Sequence, residues 1–345
     1  MRLIIKTTLG LFCVLFFTQA QAQILELEVV NQDKMLSAQT PIEYARAHFA
    51  QCNYVSAEAE FFKALEQNNF QLNDYLLFAN TLLANKKHNL AKEFYKEYLN
   101  LLPDATYTFE VLNNLIMEDS FASNSRLISK DLGITNPSYY NGSVYTALEN
   151  KLYRYTVNGK EELAPKSLQF HNLEYYSFGS IAYFDDGEKA IASMSHVKSE
   201  YVSLYYLYKK KGKWAKPYQL FSKIKGNFAF PFVDEENGTL YFSSDQASGY
   251  GGYDIYLSKF DGKRFDNPIN LGPTINSEMN EINPTLINNK LHLSSNGHLS
   301  KGGYDIYRFE EKNDYTSSLS NCSKWNTSKN DWSAMADNNG DVIVY

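Results

Sequence analysis

The hexapeptide GGYDIY occurs twice in this chain, at Gly251–Tyr256 and at Gly302–Tyr307. The stretches around the two copies also align: PFVDEENGTLYFSSDQASGYGGYDIYLSKF spans residues 231–260, and PTLINNKLHLSSNGHLSKGGYDIYRF spans residues 284–309. In both stretches, short runs of aromatic and β-branched residues alternate with turn dipeptides, a pattern typical of β-hairpins. Two hairpins in a repeat of about 50 residues predict a four-stranded sheet for each repeat.

Two weaker copies precede these stretches. Residues 182–208 read AYFDDGEKAIASMSHVKSEYVSLYYLY, and Tyr206 aligns there with the repeated Asp. Residues 137–155, PSYYNGSVYTALENKLYRY, are a shorter first copy. We therefore predict a β-propeller over residues 125–345, with four recognisable blades and a partial, degenerate fifth.

The segments LYFSSD, GGYDIY and NPINLGPTINSEMNEINP are similar to the WD40-like, TolB-type propeller repeat known as PD40. The similarity is strong over residues 228–311, moderate over 179–220 and weak over 134–165. It implies that the three segments form the second strand of a blade, the loop into its third strand, and the link to the next blade.

The ends of the propeller region predict how its ring closes. DNNGDVIVY (337–345) resembles DEENGTLYF (234–242), so a fifth blade begins there, while LISKDLG (127–133) resembles the outer-strand segment LFSKIKG (220–226). An outer strand that precedes the first blade can complete the last one and leave no exposed sheet edge. We expect residues 125–130 to pair with a strand of 337–345; an incomplete ring is the alternative.

The repeated aspartates, Asp254 and Asp305, have a structural and a catalytic interpretation. A carboxylate at a fixed place in each blade can accept hydrogen bonds from backbone N–H groups of the adjoining loop. A catalytic carboxylate belongs instead to one asymmetric arrangement of acid and base, so the duplication favours the structural role. The predicted blade-motif residues are Gly251, Gly252, Tyr253, Asp254, Tyr256, Gly302, Gly303, Tyr304, Asp305 and Tyr307.

Within residues 38–120 the sequence repeats with a different period, of 34 residues. Four residue pairs stand 34 positions apart: Ala45 and Ala79, Ala57 and Ala91, Phe61 and Tyr95, and Ala64 and Tyr98. Small residues where two helices cross, with aromatic residues nearby, resemble the tetratricopeptide repeat (TPR), which implies an N-terminal α-solenoid. We predict helices near 41–51, 54–67, 72–86 and 88–101 and a capping helix at 107–117; an unrelated helical bundle is the alternative.

Stacked helix pairs would present a concave groove. Such a groove can bind a partner, or its residues can pack against the propeller, and the sequence leaves both open. The candidate partner-binding residues are Arg46, Phe49, Asn73, Asn80 and Leu83.

Residues 1–22 have the features of a cleavable signal peptide, with a positive start, a short apolar run and the small residues Ala20 and Ala22 at the cleavage site. Cleavage would leave 23–37 as a linker and a mature chain with no predicted transmembrane span. We therefore expect an exported protein of the periplasm or outer membrane. Of the cysteines, Cys52 and Cys322 would remain, and their redox state stays open.

The charge of the chain argues against some partners. The full chain has a net charge of −6, and the predicted cleavage removes the cations Arg2 and Lys6, which makes the mature chain more acidic still. An acidic protein is a poor match for nucleic acid or for an anionic membrane surface.

The sequence lacks the usual signatures of catalysis, cofactors and metals. It has no G-x-S-x-G nucleophile elbow, no H-E-x-x-H motif and no glycine-rich phosphate loop. Its acidic pairs, such as Asp185-Asp186, precede turn glycines and lack the spacing of a calcium loop. We therefore predict no catalytic, cofactor-binding or metal-binding residues, no cofactor, and a protein that is not an enzyme.

A TPR module followed by PD40 blades resembles the N-terminal half of a Gram-negative envelope family, which includes OmpA-family and type IX secretion (PorE-like) proteins. The resemblance covers about residues 38–311 and implies a non-enzymatic scaffold that binds envelope proteins or peptides. It does not imply peptidoglycan binding, because no OmpA-like domain is present in this sequence.

Two alternatives remain open. The first is a glycan-binding module, or a carbohydrate-active hydrolase or lyase, that uses the propeller face, because aromatic side chains can stack on sugar rings. Its candidate residues are Tyr139, Tyr140, Tyr175, Tyr176 and Tyr250. The second is a decayed paralogue whose fifth blade no longer folds.

Overall fold

The computed structural model describes residues 38–101, 125–127, 137–148, 151–156, 161–163, 176–262, 264–311, 317–336 and 342–344. Within these residues the chain forms four α-helices and then twenty short strands in five sheets. The predicted signal peptide, linker and capping helix lie outside the described residues.

The four helices begin and end within two residues of the predicted bounds. Thr40 caps the first helix and forms a reciprocal capping box with Glu43, while the Asn53 side chain caps the second helix. The helices are α1 (Pro41–Ala50), α2 (Tyr54–Glu66), α3 (Leu72–Ala84) and α4 (His88–Leu101).

The residues of the 34-residue period meet in the helical core. Ala45, Ala79, Ala57 and Ala91 are fully buried, because small side chains let the crossing helices approach closely. Two helix pairs are fewer than the three or more repeats that a stacked solenoid requires for stability. The prediction of a TPR α-solenoid is therefore not confirmed by these four helices.

The strands follow the predicted hairpin turns. Positive φ angles occur at Asn141-Gly142, at Lys211-Gly212 and at Asn288-Asn289, as tight hairpin turns require. In chain order the strands are β1 (Ser125–Leu127), β2 (Ser138–Tyr140), β3 (Ser143–Leu148), β4 (Lys151–Thr156), β5 (Glu161–Leu163), β6 (Tyr176–Phe184), β7 (Lys189–His196), β8 (Val202–Lys210), β9 (Lys213–Trp214), β10 (Tyr218–Gln219), β11 (Phe228–Asp234), β12 (Thr239–Ser244), β13 (Asp254–Lys259), β14 (Ile269–Asn270), β15 (Glu281–Ile287), β16 (Lys290–Ser295), β17 (Asp305–Glu311), β18 (Ser317–Asn321), β19 (Ala334–Ala336) and β20 (Val342–Val344).

Four antiparallel sheets are the blades of a β-propeller, which confirms the propeller prediction. Strands β2–β5 form blade 1, β6–β10 form blade 2, β11–β14 form blade 3 and β15–β18 form blade 4. The innermost strands lie side by side in the order β2, β6, β11, β15, and β19 then lies between β15 and β2. They enclose a narrow central channel of about 150 Å³.

A fifth sheet of three strands completes the ring. Strand β19 pairs with β20 in antiparallel fashion, and β20 pairs in parallel with β1, so that Ser125 lies opposite Val342 and Leu127 opposite Val344. These are strands of the two segments that we expected to pair. The pairing joins the two ends of the propeller region and covers a sheet edge.

The blades share one upper face, defined here as the side that carries the β12–β13 and β16–β17 loops and the links between blades. The end of β16 and the start of β15 are paired there, as Ser295 lies opposite Glu281. The helices lie against this face. No helix among the described residues is both long enough and apolar enough to cross a membrane.

Candidate functional site

The repeated aspartates are buried at the first residues of β13 and β17. Asp254 Oδ2 accepts hydrogen bonds from the backbone N–H of Tyr250 (2.5 Å) and from the amide of Asn270 (2.7 Å). Asp305 Oδ2 accepts from the backbone N–H of Lys301 (2.7 Å) and from the amide of Asn321 (2.8 Å). Each carboxylate thus ties the loop that precedes its strand to the outer strand of the same blade.

A buried asparagine in the link after blade 3, and another in the link after blade 4, extend this tie. Asn276 Oδ1 accepts from the backbone N–H of Ile255 (2.7 Å), and its amide donates to the Ile255 carbonyl (3.0 Å). Asn326 makes the same pair of bonds to Ile306, at 2.8 and 2.9 Å. Neither asparagine was predicted, although the 50 positions between them are close to the 51 between the repeated aspartates.

The repeated glycines are explained by close backbone contact. A Cβ at Gly251 would meet the backbone of Ser277 and Glu278, and a Cβ at Gly302 would meet the backbone carbonyl of Lys329. Only glycine leaves room for the next link to pass at this distance. The two glycine positions therefore serve the junction between blades.

A second set of junction residues was also missed. Asn280 Oδ1 accepts from the backbone N–H of Tyr253 (3.0 Å), and Asn330 Oδ1 accepts from that of Tyr304 (2.9 Å). The residues that follow these asparagines are both acidic. Their signal in the sequence is again the shared spacing of about 50 residues.

The first of these acidic residues, Glu281, is fully buried at the start of β15. It accepts hydrogen bonds from the hydroxyls of Ser277 (2.7 Å) and Ser295 (2.6 Å). Burial raises the pKa of Glu281 to about 7, and burial beside Asp331 likewise raises the pKa of Asp305 to about 7.

In blade 2 the structure corrects the sequence alignment. The backbone bond from Leu220 to Leu204 corresponds to the bond from Leu271 to Ile255 in blade 3. The position of Asp254 is therefore occupied by Ser203, three residues before Tyr206. The Ser203 hydroxyl accepts from the side-chain amide of Gln219 (3.0 Å), so a weaker neutral tie replaces the charged one. The error arose because aromatic residues crowd β8 and allow several registers.

The predicted groove is largely filled by the propeller itself. The β16–β17 loop inserts Leu299 into the helical core, where this side chain is 2% exposed. Tyr95 Oη donates to Asn80 Oδ1 (2.6 Å) and to the Ser300 carbonyl (3.2 Å). Of the candidate groove residues, Asn80 and Leu83 are buried and are not available to a partner. Phe49 is also buried, at 3% exposed, although it lines the cleft between the helices and the upper face.

The other three candidate residues line an open cleft, which we call the interdomain cleft, between the helices and the upper face. Its volume is about 500 Å³, within the range of small-molecule sites. The helices contribute Glu43, Arg46, Phe49, Gln71, Asn73 and Asp74, and the propeller contributes Met279, Asn280, Asn296, Tyr304, Asn330 and Trp332.

The walls of the interdomain cleft are held in place by polar contacts. Asn296 Oδ1 accepts from the backbone N–H of Asn280 (3.0 Å), so the amides on the propeller wall are oriented by backbone groups. The Trp332 ring is half-buried and lies 4.7 Å from the Tyr304 ring, centroid to centroid, at an interplanar angle of 31°. The Asn73 amide donates to Glu278 (2.7 Å) across the boundary between helices and propeller.

The charges in the interdomain cleft are mostly negative. Arg46 forms a two-pronged ion pair with the fully buried Asp74, at 2.7 and 2.8 Å. The pKa of Glu43 is lowered because its carboxylate accepts backbone hydrogen bonds from Gln39 and Thr40. Glu278 adds a further carboxylate at the rim, so a single cation faces three anions.

The tyrosines proposed for sugar binding are not brought together. Tyr139 and Tyr140 line the central channel, whereas Tyr250 is 51% exposed at the β12–β13 loop. Tyr176 begins β6, and Tyr175 lies outside the described residues. The aromatic residue of the interdomain cleft, Trp332, was not among the predictions because it lies in the degenerate last repeat.

Within the described residues, no group of three or more His, Cys, Asp or Glu side chains is placed to hold a metal ion. No protein-family model and no curated protein matches the chain in sequence. The solved structures that are similar to it include two enzymes. An alpha-L-arabinofuranosidase from Lactobacillus brevis is 11% identical, with a TM-score of 0.37 over 60% of this chain and 81% of that chain. A prolyl endopeptidase is 15% identical, with a TM-score of 0.34 over 68% of this chain and 34% of that chain.

Both similar structures are enzymes, which contradicts the prediction that this chain is not an enzyme. That prediction depended on missing linear motifs. A catalytic site on a propeller face can combine residues from different blades, and such a site has no linear motif. Similarity at this level assigns neither a substrate nor a reaction to the chain.

Proposed function

We propose that this protein binds a short, uncharged carbohydrate in the interdomain cleft. The observation that carries the proposal is the lining of this cleft, in which the Trp332 ring stands beside the amides of Asn73, Asn280, Asn296 and Asn330. The proposal rests on this geometry and not on the identity of the similar enzymes.

A carbohydrate fits this lining because of its two kinds of surface. Each hydroxyl of a sugar both donates and accepts hydrogen bonds, and an asparagine amide offers both functions in a plane. The C–H face of a sugar ring is apolar and packs against an aromatic ring such as Trp332. Side chains that are already oriented lose little conformational entropy when the ligand binds.

The charge of the interdomain cleft favours a neutral ligand. Arg46 is already paired with Asp74, and Glu43 and Glu278 leave the cleft negative. An acidic sugar would be repelled by these carboxylates, whereas an uncharged sugar would not.

The structure offers less support for a peptide in the helical groove. Such a peptide would have to displace Leu299 from the helical core, where it is almost completely buried. Export to the periplasm or outer membrane, and association with an envelope protein there, stay predictions.

The proposal is tested with an array of neutral and acidic oligosaccharides, followed by calorimetric titration of the purified chain with the best neutral ligand. We expect Trp332→Ala to weaken binding about tenfold or more, because it removes the stacking surface. Trp214→Ala is the matched control, since it removes a tryptophan at the β8–β9 hairpin. Melting temperatures establish that both variants are folded.

Three results would contradict the proposal: no saturable binding of any oligosaccharide, a preference for acidic sugars, or equal losses in the two variants. If Trp332→Ala does not fold, Trp332→Phe replaces it, and we expect this smaller ring to weaken binding less. Release of reducing ends from the bound oligosaccharide is measured in the same samples, because it would show that binding leads to hydrolysis.

A further inference from the structure

A second polar pocket lies on the outer part of blade 4, on the face that is turned towards the fifth sheet. We call it the outer pocket. Its volume is about 380 Å³, and its lining includes Arg308, Ser320, Cys322, Ser323, Lys324 and Trp325. It is distinct from the interdomain cleft and shares no lining residue with it.

The matching face of blade 3 shows what these positions do elsewhere in the ring. The register of the strands aligns Arg308 with Leu257, and Ser320 with Ile269. On blade 3 this face is apolar, and Ile255 and Ile275 pack there against blade 4. An apolar face is required where the next blade covers it.

On blade 4 only the inner part of this face is covered. Ile306 packs against Ala334 and Val344 of the fifth sheet, whose described strands have three residues each. Arg308 stands two residues further out on the same face of β17. The outer pocket lies beyond the part of this face that the described strands of the fifth sheet cover.

The outer pocket is positively charged in an acidic protein. Arg308 and Lys290 share the carboxylate of Glu310, at 3.0 and 2.8 Å, and Lys324 lies exposed at the rim. Lys301 reaches the same side, where its Nζ donates to the Ser323 carbonyl (3.0 Å). Arg308 and Lys324 of the lining, together with the neighbouring Lys290 and Lys301, bring positive charge to this side of blade 4, although the chain as a whole carries −6.

Two features shape the wall of the outer pocket. Arg308 Nε is buried from water and has no hydrogen-bond partner among the described residues. The Trp325 ring stacks on His292, with centroids 5.4 Å apart, and forms a flat wall beside the guanidinium. His292 is held uncharged, because burial lowers its pKa to about 4, so the positive charge comes from the lysines and Arg308.

We propose that the outer pocket binds an oxyanion, a carboxylate or a phosphate group, held by Arg308 and Lys324 next to Trp325. A guanidinium presents a planar fork that matches the two oxygens of such a group. Excess positive charge attracts the ligand, while the partly desolvated Arg308 strengthens each hydrogen bond. Binding here is independent of a carbohydrate in the interdomain cleft.

The experiment titrates the full chain at low ionic strength with inorganic phosphate and, separately, with D-glucuronate. Binding is followed by calorimetry and by tryptophan fluorescence. We expect saturable binding that Arg308→Gln weakens about tenfold and Lys324→Gln about threefold, since one loses the fork and the other only a rim charge. Lys329→Gln is the matched control, because it removes an equal charge from an exposed lysine outside the pocket.

Saturable binding of either probe with this order of variants supports the proposal, and the tighter probe identifies phosphate or carboxylate as the preferred group. The proposal is overturned if neither probe saturates, if Arg308→Gln binds like the unmodified chain, or if Lys329→Gln loses as much affinity as Arg308→Gln. If Arg308→Gln does not fold, Arg308→Lys replaces it. A loss of affinity that is smaller than tenfold but larger than that of Lys329→Gln supports binding by the guanidinium fork. An unchanged affinity overturns the proposal.

Discussion

Blades 3 and 4 carry the same hexapeptide but have different surroundings. In both blades the repeated aspartate accepts one hydrogen bond from a backbone N–H of the preceding loop and one from an asparagine amide of the outer strand. In both, the backbone N–H of the next residue donates to an asparagine of the link that follows the blade. Their loops differ, since Ser248 of blade 3 faces solvent whereas Leu299 of blade 4 enters the helical core. Their outer faces differ as well, with Leu257 in one blade and Arg308 in the other.

The comparison separates two kinds of residue in a repeat. Residues that bond within these two blades or to the links that follow them are the same in both copies, whereas blade 2 has the neutral pair of Ser203 and Gln219 in place of the charged tie. Residues that face outward differ, because one blade meets another blade and the other meets the helices and the small fifth sheet. This distinction predicts four effects on stability, which follow in decreasing order of size.

The largest effect is expected at the β16–β17 loop of blade 4, whose Leu299 enters the helical core. Leu299→Ala should lower the free energy of unfolding by about 3 kcal/mol, since it leaves a cavity in the helical core. Ser248→Ala, at the matching position of blade 3, should change it by less than about 0.5 kcal/mol. Urea denaturation of both variants measures the difference, and equal effects would show that the loop does not anchor the helices.

The next effect concerns the tie that both blades share. Asp254→Ala and Asp305→Ala should each lower the free energy of unfolding by about 2 kcal/mol, because each leaves a backbone N–H and an amide without an acceptor. Asp266→Ala, at an exposed position of the β13–β14 connection, is the control. A large loss in only one of the two blades would contradict a shared structural role.

A smaller effect is the pH dependence of blade 4. The pKa of Asp305 and of Glu281 is raised to about 7, so the folded chain holds protons that the unfolded chain releases. Their contribution to stability is full below about pH 4 and is lost as the pH rises through 7. As the pH rises from 6 to 8, deprotonation of each group in the folded chain should lower the free energy of unfolding by about 1 kcal/mol.

Two buried histidines act in the opposite direction. Burial lowers the pKa of His292 and His298 to about 4, so their contribution is present above about pH 6.5 and is lost as the pH falls. The carboxyl effect is therefore measured as the difference between the unmodified chain and Asp305→Asn across this range. An unchanged pH profile in that variant would show that Asp305 titrates normally.

The smallest effect is expected on the outer faces. Arg308→Leu copies blade 3 onto blade 4 and should change the free energy of unfolding by less than about 0.5 kcal/mol, because it removes only a partly exposed ion pair with Glu310. Leu257→Arg should cost more than this, since it places a charge at a half-buried position. Thermal melting of both variants tests the asymmetry, and a strongly stabilising Arg308→Leu would mean that the face is covered.

Local sequence patterns predicted much of the fold. The 34-residue period located all four helices within two residues of their ends, and turn dipeptides such as Asn141-Gly142 located the hairpins. The likeness of each end of the propeller region to a segment of another blade predicted which segments pair to close the ring. The alignment of blade 2 was wrong by three residues, because Ser203 offered too weak a signal among neighbouring tyrosines.

The candidate sites were much less predictable. Arg46, Phe49 and Asn73 were identified as binding residues, but the cleft they line also needs Trp332, which comes from a segment more than 200 residues away. The link asparagines could have been found from their spacing. The outer pocket could not, since Arg308, Ser320 and Trp325 come together only when the outer strands of blade 4 and the link after them are folded.

The repeating units, their turns and the residues that tie blades 3 and 4 are encoded locally in the sequence, because these features depend on spacing and on bonds between near neighbours. Which surfaces remain open depends on tertiary packing. Leu299 enters the helical core, the interdomain cleft stays accessible, and the outer pocket is open on blade 4. Burial at these places depends on segments far apart in the chain, and no local pattern encodes which of them will meet.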